Sequence, residues 1–406
     1  MGQQLRIYYW MLMDTDFFEM THNDLETRVH TISDQKLLSY IQQLLPSQAV
    51  DILERKSERI HTGSFGILYR FQGTAMTTDG PFPWSLILKV VHHSGTEPID
   101  RSQPSNQRYW KREPLVYQSG FLRQLKGQLV APRCFDVIQY ADNEFWLWLE
   151  DVGEAEPVRW STERYSLIAG HIGQFTGEGL QNKAWLANSW LGKDLHRAQA
   201  HEMQSIFVEQ LPRVQHDPLV QRFLPTDTTQ RIMALWHDRE IFFAHLDRLP
   251  QTVCHRDACH VNLFPRQALD GAIQTVAIDW EDVAQGAVGE DLVSLVIVSL
   301  LSNHIAFSDS LEFDALVFEN YLQGLRDRGW TGDPKSVRLG YTAACIRYGL
   351  ALVHYTVGFA VDEKRRSQHQ EGTGQPIEET ANQWAGIYRF ILGRTDEARG
   401  LIALSS

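Results

Sequence analysis

The chain is 406 residues long, 43% hydrophobic, 11% aromatic and 22% charged, a globular composition rather than a disordered or collagenous one. That length allows two to three domains by the ~150-residue prior, and a core large enough that no disulfide staples are needed. With 38 basic and 50 acidic residues and a formal charge of -12, it lacks the basic field with which a dedicated nucleic-acid binder neutralises phosphates. A local basic spot for one phosphorylated ligand is still allowed. Cys134, Cys254, Cys259 and Cys345 read as reduced thiols of a cytoplasmic protein. The longest strongly apolar stretch, 292–301, is too short to span a bilayer. The apolar patch at 7–13 follows only Arg6 and precedes Asp14, Asp16 and Glu19, which makes a poor secretory signal. The expected partners therefore include neither nucleic acid nor membrane.

In chain order, 33–45 places Leu37, Leu38, Ile41, Leu44 and Leu45 at helical spacing, with Ser33 as N-cap and Pro46 as stop. This helix belongs to an expected N-terminal helical extension over 1–55. The period then changes. Residues 58–73 read as a strand, a glycine turn and a second strand, and 84–91, WSLILKVV, as a third strand with one charge, Lys89. A loop holding Pro98 and Pro104 follows over 92–108, then a helix over 114–126. Pro132 introduces a strand pair, 135–139 and 144–149, around Ala141-Asp142-Asn143. Beyond 150, helical segments surround one strand-rich island at 253–282. Strands first and helices after give an α+β plan of two lobes, 56–150 and 151–406.

The chemistry concentrates in 253–264, VCHRDACHVNLF, and 276–282, VAIDWED. His255-Arg256-Asp257 and Asn262 reproduce the H-R-D-x-x-x-x-N arrangement of a kinase catalytic loop, and Asp279 follows an apolar run. Phosphoryl transfer needs a carboxylate to accept the hydroxyl proton, for which Asp257 is placed. It also needs oxygen ligands for Mg²⁺, a hard cation, which Asn262 and Asp279 can supply. Upstream, Gly63-Ser64-Phe65-Gly66 lets backbone N–H groups approach phosphates where a Cβ would intrude; a plain hairpin turn reads the same way. Lys89, inside an apolar run, must meet an anion or snorkel at an edge strand. A nucleotide phosphate and Glu113 are the candidate anions, although Glu113, just before Pro114, also suits an ordinary first helical turn. The strand 145–149 leaves into a glycine-containing linker, where Glu150 to Val152 would offer backbone groups to adenine. The order of elements, more than any one motif, supports a phosphotransferase.

These residues resemble the aminoglycoside phosphotransferase and choline kinase-like family of small-molecule kinases. The resemblance is carried by 254–265, 277–282, Lys89 and 109–117, and extends in order of elements over roughly 60–400. It implies a bilobal protein-kinase-like fold, a five-stranded N-lobe with one helix joined by a hinge to a helical C-lobe. It further implies ATP or GTP and Mg²⁺ as cofactors, Asp257 as catalytic base, Asn262 and Asp279 as metal ligands, and Lys89 on the phosphates with Glu113 orienting it. Asp291 resembles the family's structural acid. Asp279-Trp280-Glu281 stands where protein kinases have D-F-G, and no A-P-E triplet follows, which favours a small-molecule acceptor over a protein. Glu281 and Asp282 suit a cationic acceptor or a solvated turn equally. A monomer and a homodimer are both compatible with the chain.

Three rivals remain at this point. Cys254, His255, Asp257, Cys259 and His260 form a possible zinc cluster, but without the paired spacing of structural zinc modules. A Cys–His nucleophile is conceivable, although apolar neighbours point to inert thiols. A catalytically silent nucleotide-binding module is the third.

Overall fold

The computed structural model describes residues 22–45, 47–62, 66–93, 101–153 and 159–405. The patch at 7–13 and the turn residues Gly63 and Ser64 lie outside them. Two short helices come first, α1 (His22–His30) and α2 (Asp34–Leu44). Ser33 caps α2 by accepting a hydrogen bond from the Lys36 N–H, as its side chain and position require.

An antiparallel five-stranded sheet follows, built from β1 (Ala49–Thr62), β2 (Gly66–Thr77), β3 (Gly80–His92), β5 (Cys134–Ala141) and β6 (Glu144–Glu150). Its order is β1-β2-β3-β6-β5. The two-residue β4 (Leu129–Val130) instead joins β8 (Leu263–Gln267) and β9 (Ile273–Ala277) in a small second sheet. Gly66 stands at the start of β2 because a Cβ there would lie 2.7 Å from the Val90 carbonyl oxygen.

The period-2 rule sorts the sheet residues between two cores. In β6, Trp146 and Trp148 pack into the outer core of the N-lobe, while Phe145, Leu147 and Leu149 join the core shared with the C-lobe. That explains a strand apolar on both faces. In β3, Leu86, Leu88 and Val90 face the outer core, which leaves Ile87, Lys89 and Val91 on the inner face. The lone lysine is thereby aimed between the lobes.

The outer core also contains Leu25 and Val29 of α1 and Leu37, Tyr40 and Ile41 of α2. Arg28 reaches across to Glu144 with two bonds of 2.6 and 2.8 Å, and the Trp146 indole donates to the same carboxylate at 2.8 Å. The expected boundary at 55 therefore falls inside β1, and α1 and α2 are a layer of the N-lobe rather than an appendage. The apolar stripe of α2 would otherwise face water.

The inner side of the sheet carries α3 (Arg112–Gln118). The helix expected over 114–126 starts earlier and ends sooner, because Gly120 takes φ 72° and the chain continues as a 3₁₀ turn, Phe121–Gln124. After β6 the chain is mainly helical: α4 (Thr162–Gln181), α5 (Leu195–Glu202), α6 (Thr226–Arg248), α7 (Leu292–Leu301), α8 (Ser310–Asp327), α9 (Ile346–Val361) and α10 (Ile377–Ser405). Between α6 and α7 sits the strand island, where β7 (Gln251–Cys254) pairs with β10 (Ala284–Ala287). The helical run Pro334–Val361 is long and apolar enough to cross a membrane, but 61% of its apolar window is buried in the fold.

If α2 is integral to the N-lobe, Ile41→Ala, at a fully buried position, will cost about 2–5 kcal/mol of stability. Chemical denaturation followed by tryptophan fluorescence checks this. An unchanged midpoint would mean that the two helices are dispensable.

Candidate active site

Two loops of the strand island carry most of the chemistry. The first, from His255 to Asn262, links β7 to β8. The second, Ile278 and Asp279, follows β9. Strand pairing sets them side by side, since β8 and β9 are antiparallel with Leu263 opposite Ala277. Two further bonds lock them: the Ile278 N–H donates to the Asn262 carbonyl at 2.9 Å, and His255 Nε2 lies 3.0 Å from the Ile278 carbonyl. With Nε2–H donating, Nδ1 is left to accept from the Asp257 N–H at 3.3 Å. Burial pushes the His255 imidazole down to about 4, so the neutral tautomer this geometry needs is the stable one.

The backbone of the first loop is strained. Arg256 has φ 67°, and Asp279 in the second loop has φ 64°, a region costly for residues with a Cβ. Asp291, just before α7, compensates by accepting the N–H groups of His255 and Arg256 at 3.0 and 2.7 Å. Within the loop the Asn262 amide donates to Asp257 Oδ2 at 2.6 Å and to the Asp257 carbonyl at 3.0 Å. Asn262 is fully buried, and its Oδ1 has no hydrogen-bond partner.

The second cluster joins three pieces of chain. Lys89 Nζ from β3 lies 2.5 Å from Glu113 Oε2 of α3, 2.8 Å from Asp279 Oδ1 and 3.8 Å from Glu281 Oε2. Burial opposes the ammonium, yet Asp279, Glu113 and Glu281 outweigh it and hold Lys89 well above its ordinary range. Burial also opposes ionisation of Asp279, but Lys89 holds it below the usual carboxylate value. For Glu281, burial and then Asp279 win, and its carboxyl is pushed well up. Glu113 is raised as well, chiefly by burial. The ligand oxygens of Glu113, Asp279 and Glu281 lie within 4.8 Å of one another, the arrangement that could hold a metal among the described residues. Asn262, expected as a metal ligand, contacts both segments: its side-chain amide donates to Asp257 and its backbone carbonyl accepts from the Ile278 N–H.

The remaining expected positions are more scattered. Gly66 lies against the Lys89 stem. Glu150 pairs with Leu86, three residues along β3 from Lys89. The Glu150 N–H already donates to the Arg133 carbonyl at 2.8 Å, and its carboxylate binds Arg266 at 2.7 Å. With its N–H engaged, Glu150 is a poor donor to adenine, while Val152 is half-buried in the linker. The two carboxylates that suggested a cationic acceptor are engaged: Glu281 with Lys89, and Asp282 with Arg347 at 3.2 Å. Burial pushes the Cys254 thiol well up, which suits neither a thiolate zinc ligand nor a nucleophile.

Sequence reasoning missed Arg112. Its guanidinium, completely buried and pushed down by that burial to about 10, donates to the carbonyls of Pro104, Asn106, Gln107 and Glu281 at 2.7–2.9 Å. It thereby ties the loop before α3 to the segment after Asp279. In KREP it is one of three successive charges, so nothing in the pattern marked it as buried.

The profile of the phosphotransferase enzyme family (APH) matches residues 74–332. The chain belongs to this family. The family is one of phosphotransferase enzymes. The matched span starts within β2 and ends before α9, so it contains both clusters. Among solved structures, an amicoumacin kinase in complex with AMP-PNP, Ca²⁺ and Ami is similar at 12% identity, covering 88% of this chain and 96% of that one with a TM-score of 0.49. An aminoglycoside phosphotransferase from Alicyclobacillus acidocaldarius has 16% identity, covering 86% and 93%, with a TM-score of 0.47. A microcompartment-associated aminopropanol kinase has 13% identity, covering 89% and 99%, with a TM-score of 0.44. No curated protein matches the chain.

The phosphotransferase's raised Glu281 carboxyl makes a signed prediction. A carboxylate whose folded value lies above its unfolded one, about 4.3, stabilises the fold less and less as pH rises through that window. Glu281→Gln removes this penalty. In nucleotide-free, metal-free protein its melting temperature will exceed that of wild type at pH 8, and the two will converge as pH falls to about 4. A variant less stable than wild type at pH 8 would show that Glu281 is net stabilising.

Proposed function

We propose that the chain transfers the γ-phosphoryl group of ATP or GTP to a hydroxyl of a small molecule, assisted by Mg²⁺. One observation carries this reading. The neutral His255 side chain links the Asp257 loop to the Asp279 segment, and Asp279 in turn shares the Lys89 ammonium with Glu113. Asp257, Asp279, Lys89 and Glu113, drawn from four separate stretches of the sequence, thus belong to one connected constellation.

Each residue has a task within that reading. Asp257 accepts the proton of the attacking hydroxyl; the Asn262 amide on Oδ2 fixes the rotation of its carboxylate. Lys89 binds the nucleotide phosphates, with Glu113 keeping its ammonium in place. Gly66, with Gly63 and Ser64 before it in sequence, is assigned to the phosphates, and the linker backbone at Val152 to the base. The residues present fit a divalent cation: the Asn262 Oδ1 atom is a buried oxygen without a partner, and three carboxylates share one ammonium. Asn262 and Asp279 would hold it. When bound, such an ion neutralises charge on the phosphates and leaving group.

A small acceptor fits the chain path. From Asp279 the backbone makes one short turn, Trp280–Asp282, and enters β10 at once. No segment intervenes there that could present a protein substrate. The lobes over 56–150 and 151–406 are proposed as nucleotide-binding and catalytic units, now with α1, α2 and the start of β1 added to the first. Four free cysteines suit a cytoplasmic setting.

The test is coupled ADP release by the full chain over aminoglycosides, macrolides, choline, ethanolamine, amino sugars and homoserine. Asp257→Asn will lower turnover by about 10²- to 10⁴-fold. Lys89→Met will lower kcat/KM for ATP, and removal of divalent metal by EDTA will abolish turnover. If Asp257→Asn turns over as wild type does, the base assignment is wrong; if nothing in the panel is phosphorylated, the silent-module reading gains.

A further inference from the structure

Arg347 stands in the first turn of α9, beyond residue 332, where the family match ends. Its Nη1 donates to the Arg256 carbonyl at 2.6 Å, and its Nη2 to Asp282 Oδ2 at 3.2 Å. The first contact is to the peptide that carries Asp257; the second is to the turn that follows Asp279. We propose that Arg347 is a positioning residue for phosphoryl transfer, bracketing the Asp257 loop and the Asp279 segment from the C-terminal helices. The inference rests on the reading of Asp257 and Asp279 given above.

Both bracketed segments contain a residue at positive φ, Arg256 and Asp279, and such backbone persists only where its surroundings over-determine it. At Arg256 that restraint is visible on both sides. Its N–H is held by Asp291. Its carbonyl accepts from Ser294 Oγ at 2.5 Å as well as from Arg347, and the Tyr348 hydroxyl braces Ser294 Oγ at 3.2 Å. The Arg347 side chain is only 11% exposed, so water competes weakly for these bonds. The guanidinium fork suits the task because one rigid planar group meets two acceptors at once. A lysine ammonium is a single point charge on a flexible stem. Rotation of the 256–257 peptide would move Asp257, and an error of about 1 Å in such a group can cost about a hundredfold in rate.

The test uses the full chain as wild type, Arg347→Gln, Arg347→Lys and Asp257→Asn, with two readouts. Amide hydrogen exchange reports the loop without needing turnover. Arg347→Gln will speed exchange at 255–257 while leaving the β1–β3 amides unchanged. ADP release from ATP and Mg²⁺, with water as acceptor, reports chemistry. The Gln variant will lose about ten- to a hundredfold in kcat with KM for ATP held within about twofold, and the Lys variant will recover part of the loss. Exchange and kcat equal to wild type in the Gln variant would overturn the proposal. So would a lowered melting temperature with unchanged kcat and loop exchange, which marks a merely structural arginine. Wild-type turnover in Asp257→Asn would instead sink the base assignment, and loop exchange would still decide whether Arg347 holds the peptide.

Discussion

One buried ammonium group organises the space between the lobes. Lys89 reaches that space because strand alternation puts it on the inner face of β3, opposite the three aliphatic residues that pack against the N-terminal helices. An isolated ammonium there would be prohibitively costly, and the chain answers it from two directions, with Glu113 on α3 and with Asp279 and Glu281 beyond β9. Removing the ammonium from such a group leaves the carboxylates buried without compensation. Glu113 extends the link by accepting the Trp280 N–H at 3.3 Å with its other oxygen. The N-lobe sheet, its helix and the C-lobe loops are thus tied through one charge cluster.

The Asp257 loop depends on a different principle. Its residues are held less by ion pairing than by saturating backbone groups with buried polar side chains. Asp291, Ser294 and Arg347 each contact the backbone of 255–256. Arg256 itself points away and pairs with Glu290 at 2.7 Å, a carboxylate also met by His196 at 2.9 Å. Burial opposes that carboxylate, but His196 and Arg256 hold it down at about 2. The site therefore combines a charge-rich half, balanced around Lys89, with a half whose geometry is fixed by hydrogen bonds to strained peptide.

What the sequence made legible follows from which interactions are local. The α+β plan, the α2 cap, the β5–β6 hairpin and the island at 253–282 rest on periodicity and turn residues, and these are written in short windows. The grouping of Asp257 with Asn262 is local too. The union of Lys89 with Glu113 and Asp279 was legible only because a charge in an apolar strand demands a partner. The role of α1 and α2 was not: their apolar stripe says that something is covered, but nothing local says that Trp146 and Trp148 are beneath it. The 114–126 helix was overextended because periodicity continues through Gly120, whereas the backbone there turns left-handed.

Arg347 and Arg112 show the same rule from its two sides. Arg347 interrupts the apolar run AACIRYGLALV, the signal that singled out Lys89, and it too lands on acceptors next to the chemistry. Arg112 carries no such signal, because Lys111 and Glu113 flank it and a run of charges reads as a solvated face. Yet it is the more deeply buried of the two, with four carbonyls gathered around it. A lone charge among apolar residues advertises its need for a counter-group, while a charge satisfied by backbone carbonyls needs no charged partner and leaves no trace in composition. In an acidic chain of net charge -12, the cations that matter most are those few that the fold withdraws from water. Their partners, rather than the overall balance, decide where anions can bind.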